Sequence, residues 1–363
     1  MSQSGIDLVM KLIVQIPCHN EARTIARTIS DIPRRIPGVD AVEVLVVDDG
    51  SSDGTSGAAR EAGADHVIRH TRNKGLAEAF RTGIDACLGA GADIIVNTDG
   101  DNQYAGHCIP MLVQPILDGT ADMVIGDRQV RHSPHYSRIK KRLHAVGTSV
   151  VRQLSRTGVS DPVSGFRAFS RQAATHLNVV SPFSYTIETL IQAGTHQIAL
   201  TSVPIETNAA TRPSRLFKSI PHFVLNSLAT MMRIYTMYHP LRMFGYIGIA
   251  LGLVGSIPIV RFLYFFLSGD GGGHVQSLIL GGVLVLMGFL ALLFALLADL
   301  VNFNRRLIET TLHKVREMEL EGRQGEGQSA RESKPVRTAA TAYRDNVTEP
   351  EVRPEVQKKR RAV

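Results

Sequence analysis

Ile94-Ile95-Val96-Asn97-Thr98-Asp99-Gly100-Asp101-Asn102-Gln103 is the stretch on which the reading of this chain turns. Its apolar start reads as a short buried strand, and Asn97-Thr98 lead out of it. Two carboxylates and an amide, Asp99, Asp101 and Gln103, follow at alternating positions. Ligands of open α/β sheets collect outside the carboxyl ends of the strands. Hard oxygen donors placed there suit Mg²⁺ or Mn²⁺, ions that also hold substrate phosphates. Taken alone, such a D-x-D is more often an acidic surface turn. Its neighbours along the chain reverse that reading.

Outward from this stretch, strand-like and helix-like segments alternate over the first two hundred residues. Lys11–Ile16, Val42–Val47, His66–Arg69, Asp93–Val96 and Met123–Ile125 are strand candidates, with one more over 198–205. Helices are expected near 21–35, 54–62, 74–90, 106–118, 138–156 and 184–194. The alternation predicts an α/β fold, a mostly parallel sheet with helices on both faces. Ser51-Ser52-Asp53 supplies N-cap residue types before the second helix. The opening apolar run, Leu12 to Ile16, is too short for a leader and is expected to be a strand.

The composition changes after residue 240. Phe244–Leu267 and Val275–Ala298 are almost wholly apolar, with Arg261 the one charge between them. Each can cross a hydrocarbon core of roughly 30 Å at about 1.5 Å per residue. The polar loop Ser268–His274 makes the pair an antiparallel hairpin. Arg233, Arg242, Arg305, Arg306, Lys314 and Arg316 flank the outer ends, and the short loop has no Lys or Arg. Positive-inside counting therefore puts both termini and the preceding domain in the cytoplasm of a membrane protein. The expected domains are 1–218 (catalytic), 219–240 (juxtamembrane), 241–304 (the two spans) and 305–363 (a cytoplasmic helix and a tail disordered from about 321). The juxtamembrane stretch fits an amphipathic helix on the interface and equally fits packing against the domain.

With 363 residues and a net charge of +7, the chain has room for one or two domains and favours an anionic partner or surface. Three cysteines, Cys18, Cys87 and Cys108, have no metal-type spacing and suit a reducing compartment. No P-loop and no H-E-x-x-H occurs. Gly89-Ala90-Gly91-Ala92-Asp93 mimics a dinucleotide fingerprint, but it precedes a strand and lacks the third glycine.

Two further strand-to-helix turns carry polar groups to the edge that holds Asp99. They are Pro17-Cys18-His19-Asn20-Glu21 and Val46-Val47-Asp48-Asp49-Gly50-Ser51-Ser52-Asp53-Gly54-Thr55. Three such turns in consecutive units predict a nucleotide cleft. Together with Asp99–Gln103, Gly126-Asp127-Arg128 and Ser160-Asp161-Pro162-Val163-Ser164-Gly165-Phe166-Arg167, these motifs resemble the family 2 glycosyltransferases of GT-A fold. The nearest branch is that of the polyprenyl-phosphate glycosyltransferases, which includes the dolichol-phosphate mannose synthases. The resemblance covers about residues 10–220.

That resemblance implies a nucleotide-sugar site lined by Pro17, Asn20, Glu21, Asp49 and Asp99. It implies a metal, Mg²⁺ or Mn²⁺, on Asp99, Asp101 and Gln103. Arg212 and Arg215 would grip the donor diphosphate, which suits the fork of a guanidinium. Arg128 and Lys141 would bind the acceptor phosphate, although His144 stands where the family has a serine. The basic run 138–142 also fits a face against anionic lipid. Asp161, with Asp101, is the candidate catalytic carboxylate, either as a base or as a group that orients the acceptor and its basic ligands. Glu188 matches an acidic family position and equally fits a structural role.

The expected activity is inverting, metal-dependent transfer of a hexose from a UDP- or GDP-sugar to a polyprenyl monophosphate, dolichyl or undecaprenyl. Alternatives are a lipid-linked saccharide or glycolipid acceptor, or an inactive membrane scaffold or nucleotide-sugar sensor. No nucleic-acid partner is expected. Small residues such as Gly281, Gly282 and Gly288 leave a homo-oligomer open.

Overall fold

The computed structural model describes residues 9–130, 138–179, 185–208, 229, 232–233, 235–269 and 274–332. The chain divides between Leu320 and Glu321 into two units, and the described part of the second, to Glu332, is helical. The first unit carries a seven-stranded sheet of order β3-β2-β1-β4-β6-β5-β7. Its strands are β1 (Lys11–Cys18), β2 (Ala41–Asp48), β3 (His66–Arg69), β4 (Ile94–Asn97), β5 (Met123–Asp127), β6 (Arg167–Ser170) and β7 (Leu200–Pro204). All neighbours are parallel except β6, which runs antiparallel to β4 and β5. This is the mostly parallel α/β sheet expected of a GT-A fold. The expected strands are all present, shifted by a residue or two at their ends. β6 is additional to them: it is four residues long and opens on a charged side chain.

The pleat of β1 sorts the core. Leu12, Val14 and Ile16 face one cluster, with Ile25 and Ile29 of α1 (Ile25–Ser30), Ala59 of α2 (Thr55–Glu61) and Leu112 of α4 (Ile109–Leu117). Ile13 faces the other, with Phe80 and Ile84 of α3 (Leu76–Gly89), Val151 of α5 (Arg138–Ser155), Ala173 of α6 (Arg171–His176) and Leu190 of α7 (Tyr185–Thr195). Helices thus cover both faces, as near-continuous apolar strands require. The expected side-chain N-cap of α2 is not observed. Gly54, in the left-handed region at φ 85°, takes the cap position. Asp53 instead accepts from the Thr55 and Ala22 amides.

Pro17 opens the ligand edge of the sheet. The Gln15 carbonyl accepts from the Thr98 amide at 3.1 Å, the last rung between β1 and the chain leaving β4. Two residues on, Pro17 has no N–H to continue the ladder. The segment 99–103 is thereby released from the sheet. Gly100 lets it pass close to β1, because a Cβ there would lie 2.9 Å from the Cys18 Cβ. The Gly100 carbonyl then accepts from the Thr24 and Thr28 hydroxyls of the α1 region at 2.8 and 3.2 Å.

Two helices, α8 (Pro240–Leu267) and the long α9 (Val275–Glu332), follow. Both are long and apolar enough to cross a membrane, α9 over its Val275–Arg305 part. Their side chains are largely exposed, Leu253 by 67% and Phe294 by 61%, unlike a buried core helix. Helix α9 runs past 321, to Glu332, where a disordered tail was expected. The expected amphipathic stretch falls largely outside the described residues, although 235–238 are helical. Gly281 and Gly288 pack within the hairpin. A Cβ on Gly281 would lie 2.7 Å from the Gly255 carbonyl oxygen, and one on Gly288 would lie 2.8 Å from that of Gly248. These glycines are therefore engaged inside the chain rather than offered to another copy, while Gly282 faces open space. Gly288→Ala is expected to destabilise the hairpin by about 1–3 kcal/mol through forced separation of two backbones. Gly282→Ala should be neutral or stabilising by up to about 1 kcal/mol. Thermal unfolding midpoints of the two variants in detergent check the contrast.

Candidate active site

Four chain segments meet where β1, β2, β4 and β5 end. In the first, Asn20 adopts φ 55° and ties two turns together. Its amide donates to the Ser51 hydroxyl at 2.8 Å, and its side-chain oxygen accepts from the Ser52 amide at 2.9 Å. Glu21 is buried, receives the Thr24 hydroxyl at 3.0 Å, and its amide donates to Thr55 Oγ1 at 3.0 Å. These contacts join the first strand-to-helix turn to the second.

The carboxylates of the second turn are engaged in building it. Asp48 accepts from the Ser51 amide at 2.9 Å and from the Ser56 hydroxyl, which hold it below the ordinary carboxylate range although burial pushes it up. Asp49 is 3% exposed. His70 Nδ1 lies 2.8 Å from its Oδ1, and the Lys74 and Gly75 amides donate to it at 2.9 and 2.8 Å. Asp49 therefore holds the 70–75 loop, whose backbone also presses on Gly50. Nothing in the sequence signalled the His70 partnership, which spans two elements.

The third segment is Asp99–Gln103. Asp99, Asp101 and Gln103 are all half-buried. Asp101 Oδ1 accepts from the Gln103 amide at 3.1 Å, a local turn that Asn102 completes at φ 57°. Asp99 points to the fourth segment, the loop 160–167. A Cβ on Gly165 would lie 3.2 and 3.3 Å from the two Asp99 carboxylate oxygens and 2.8 Å from the Tyr185 hydroxyl. A side chain at Gly165 is excluded chiefly by the Tyr185 hydroxyl, with the Asp99 carboxylate close beside it. A buried relay supports it: Gln15 Nε2 donates to Asn97 Oδ1 at 2.9 Å, and Asn97 Nδ2 donates to the Gly165 carbonyl at 2.7 Å and to the Tyr185 oxygen at 3.1 Å. The Gly165 amide donates to the Tyr104 hydroxyl oxygen at 3.0 Å. Burial, with the nearby Asp99 charge adding to it, pushes the Tyr104 hydroxyl up to about 12 and that of Tyr185 well up. Both stay neutral at physiological pH.

A divalent cation fits this arrangement by its chemistry. Asp99, Asp101 and Gln103 offer side-chain oxygens as donors. Among the described residues no group of three or more His, Cys, Asp or Glu gathers as a metal cage. Two carboxylates and an amide suit an ion that keeps waters and substrate oxygens in its shell, as Mg²⁺ does.

At the far end of the loop 160–167, Asp161 is fully buried. Arg128, at the end of β5, grips it with Nε at 2.7 Å and Nη2 at 3.0 Å. His144 Nε2 lies 3.1 Å from Oδ1, the oxygen that Arg128 Nη2 also meets. Burial pushes the Asp161 carboxyl up, but the hydrogen bonds from His144 and Arg128 outweigh it and hold the group well below the usual range. His144, out of place against the family motif, thus joins Asp161 and Arg128 in one cluster. Lys141 is half-buried on α5, three residues before His144. Glu188 is buried on α7, 3.5 Å from Gln192 Nε2. Pro17 is buried at the sheet edge. Arg212 and Arg215 lie outside the described residues.

The mostly parallel sheet and the polar turns at its edge have the arrangement of the GT-A fold. The profile described as glycosyl transferase family 2 matches residues 13–177. An uncharacterised protein of Methanocaldococcus jannaschii is 32% identical over 54% of this chain and 81% of its own length. The dolichol-phosphate mannosyltransferase of Pyrococcus furiosus is 33% identical over 50% of this chain, which spans only 53% of that enzyme. The UDP-N-acetylglucosamine–dolichyl-phosphate N-acetylglucosaminyltransferase of Methanococcus voltae is 28% identical, over 53% of this chain and 83% of the relative. This chain belongs to glycosyl transferase family 2.

Two substitutions probe the site. Gly165→Ala places a methyl against the Asp99 carboxylate and is expected to lower glycosyl transfer at least about tenfold, because small displacements of positioned groups are costly in rate. Circular dichroism should remain that of the parent. Asp161→Asn leaves Arg128 and His144 facing a neutral amide in a buried setting and is expected to cost about 3 kcal/mol or more. Because the folded-state pKa of Asp161 is depressed, its ion pairs stabilise fully above the ordinary carboxylate value and are lost only as pH falls through the lower, folded value. The stability gap between parent and Asp161→Asn should therefore still be present at about pH 5 in thermal melts.

Proposed function

We propose that this protein transfers a hexose from a UDP- or GDP-sugar to a polyprenyl monophosphate, with inversion at the anomeric carbon. The observation that carries the reading is that one loop serves both halves of the reaction. At Gly165 it borders Asp99, on the donor side, and at Asp161 it holds Arg128, on the acceptor side. The two apolar helices of the same unit and the dolichyl-phosphate relatives support a lipid acceptor.

In this reading Asp99, Asp101 and Gln103 hold a divalent cation, which supplies charge neutralisation for the departing nucleoside diphosphate. Arg212 and Arg215 pair with the same diphosphate, and Asn20 and Glu21 shape the nucleotide floor. Arg128, aided by Lys141, orients the acceptor phosphate. A phosphate monoester is already anionic near neutral pH, so its oxygen attacks without a general base. Asp161 accordingly acts by orienting Arg128 and His144: a carboxyl held this far below the usual range is a poor proton acceptor. The two apolar helices, set in the membrane with both ends cytoplasmic, raise the effective concentration of the lipid phosphate at the cleft.

The test is a donor screen. Membranes holding the protein are incubated with radiolabelled UDP- and GDP-hexoses and either dolichyl or undecaprenyl phosphate, and label is counted in the lipid extract. One donor should give a divalent-dependent product of inverted anomeric configuration. Asp101→Ala should reduce it at least about a hundredfold, the scale of several kcal/mol of lost charge stabilisation. Undiminished transfer by that variant contradicts the reading.

A further inference from the structure

Tyr238 sits where the membrane hairpin meets the catalytic sheet. It is buried, in the short helical stretch 235–238 just before Pro240 opens α8. The chain breaks at His239, whose φ of −134° and ψ of 53° are not helical. Such a break orphans carbonyls at a helix end. Asn302 Nδ2, from α9, donates to the Tyr238 carbonyl at 3.3 Å. One turn further along α9, Arg305 Nη2 donates to the Tyr238 hydroxyl at 2.9 Å, and its guanidinium carbon stands 4.5 Å from the ring centroid. The tyrosine is thus held at its carbonyl, its ring and its hydroxyl by one helix.

The grip continues the packing of the two apolar helices. Along the Val275–Arg305 part of α9 the buried residues are Gly281, Gly288, Ala295 and Asn302, each seven residues after the last. The first two admit α8 at Gly255 and Gly248. The stripe ends on the one polar member, Asn302, which reaches Tyr238. A seven-residue stripe keeps one face toward a partner helix, so Tyr238 is seated on the same seam that joins the helices.

On its other side Tyr238 forms a buried apolar cluster with Ile187 and Ile191, one turn apart on α7, with Met237 against it. The other face of α7 carries Tyr185 and Thr189, also one turn apart. Tyr185 stacks on Phe80 at 4.1 Å between centroids and meets Asn97, while Thr189 Oγ1 accepts from Arg167 Nη1 at 2.6 Å. Arg167 in turn donates to the Pro162 carbonyl at 2.8 Å, next to Asp161. One short helix therefore stands between the hairpin and the loop that carries the Arg128–Asp161–His144 cluster.

We infer that Tyr238 is a positioning residue that fixes the acceptor side of the cleft to the membrane hairpin, acting through Ile187 and Ile191 of α7. It touches neither donor nor acceptor. Its effect falls on how an acceptor embedded in a bilayer meets the cleft. A water-soluble acceptor arrives from any height and is indifferent to it.

The kinetic test rests on the proposed activity. Tyr238→Ala, Tyr238→Phe and Arg305→Gln are compared with the parent in nanodiscs, using long-chain polyprenyl phosphate in the bilayer and a short-chain, water-soluble polyprenyl phosphate. Tyr238→Ala is expected to raise KM for the bilayer acceptor about tenfold, with the KM for the nucleotide sugar and turnover of the soluble acceptor within about twofold of the parent. Tyr238→Phe keeps the ring and the carbonyl and should show a smaller shift in the same direction, as should Arg305→Gln. Equal losses on both acceptors, or no loss on either, overturn the inference. If the parent transfers to neither acceptor, the proposed activity fails by itself, and a second readout decides the inference. Hydrogen exchange over 185–195 in nanodiscs should speed up in Tyr238→Ala while 94–97 keeps its protection. Unchanged exchange over 185–195 overturns it.

Discussion

A guanidinium with no access to water governs the ligand edge of this protein. Arg167 is fully buried at the start of β6, and burial lowers its pKa to about 10, which leaves it charged at neutral pH. A buried charge is tolerable only when its hydrogen-bonding capacity is met. Arg167 meets it with the carbonyls of Ser164, Pro162 and Thr186 and the hydroxyl of Thr189. Those acceptors come from the loop 160–167 and from α7, so satisfying one side chain fixes both segments against the sheet. The position of Gly165 beside Asp99, and of Asp161 beneath Arg128, follows from that constraint. β6 lies between β4 and β5 and runs against both, so its first residue, Arg167, is paired with Asn97 and Ile125 near the ends of those strands.

Carboxylates at this edge fall into two groups. Asp48, Asp49 and Asp161 are buried and hold backbone amides, hydroxyls or cationic side chains, so their charges are met within the protein. Asp99 and Asp101 are half-buried on a segment that has left the sheet. The division has a mechanical cause: Pro17 stops the ladder on one side of β1, whereas on the other Asp49 continues it by donating its amide to the Cys18 carbonyl at 2.8 Å. One turn therefore serves as scaffold, and the other lies off the sheet at its edge.

Most of the sheet was legible because its strands are runs of β-branched and aliphatic residues bounded by polar turns. β6 was not, since a four-residue strand beginning with a buried arginine carries no hydrophobic pattern; only its partners show why it is a strand. The D-x-D segment read correctly as an edge feature because it follows a strand; the 160–167 motif was legible only through the family resemblance, because the strand it leads into was not expected. The Asp161–His144 contact and the Asp49–His70 contact were invisible, because each joins residues 17 or 21 positions apart through tertiary packing alone. The apolar helices were plain from composition. Their mutual register was not, because it depends on which of several glycines face inward.

That register has a mechanical corollary. Gly281, Gly288 and Ala295 alone have little side chain with which to fix the alignment against α8, but Asn302 ends the series with a hydrogen bond to Tyr238. Shear of one helix along its neighbour would break that bond and press side chains into backbone at Gly248 and Gly255. Set in bilayers of differing thickness, the pair would accommodate the mismatch by leaning as a single rod, since tilt is the low-cost response left to it.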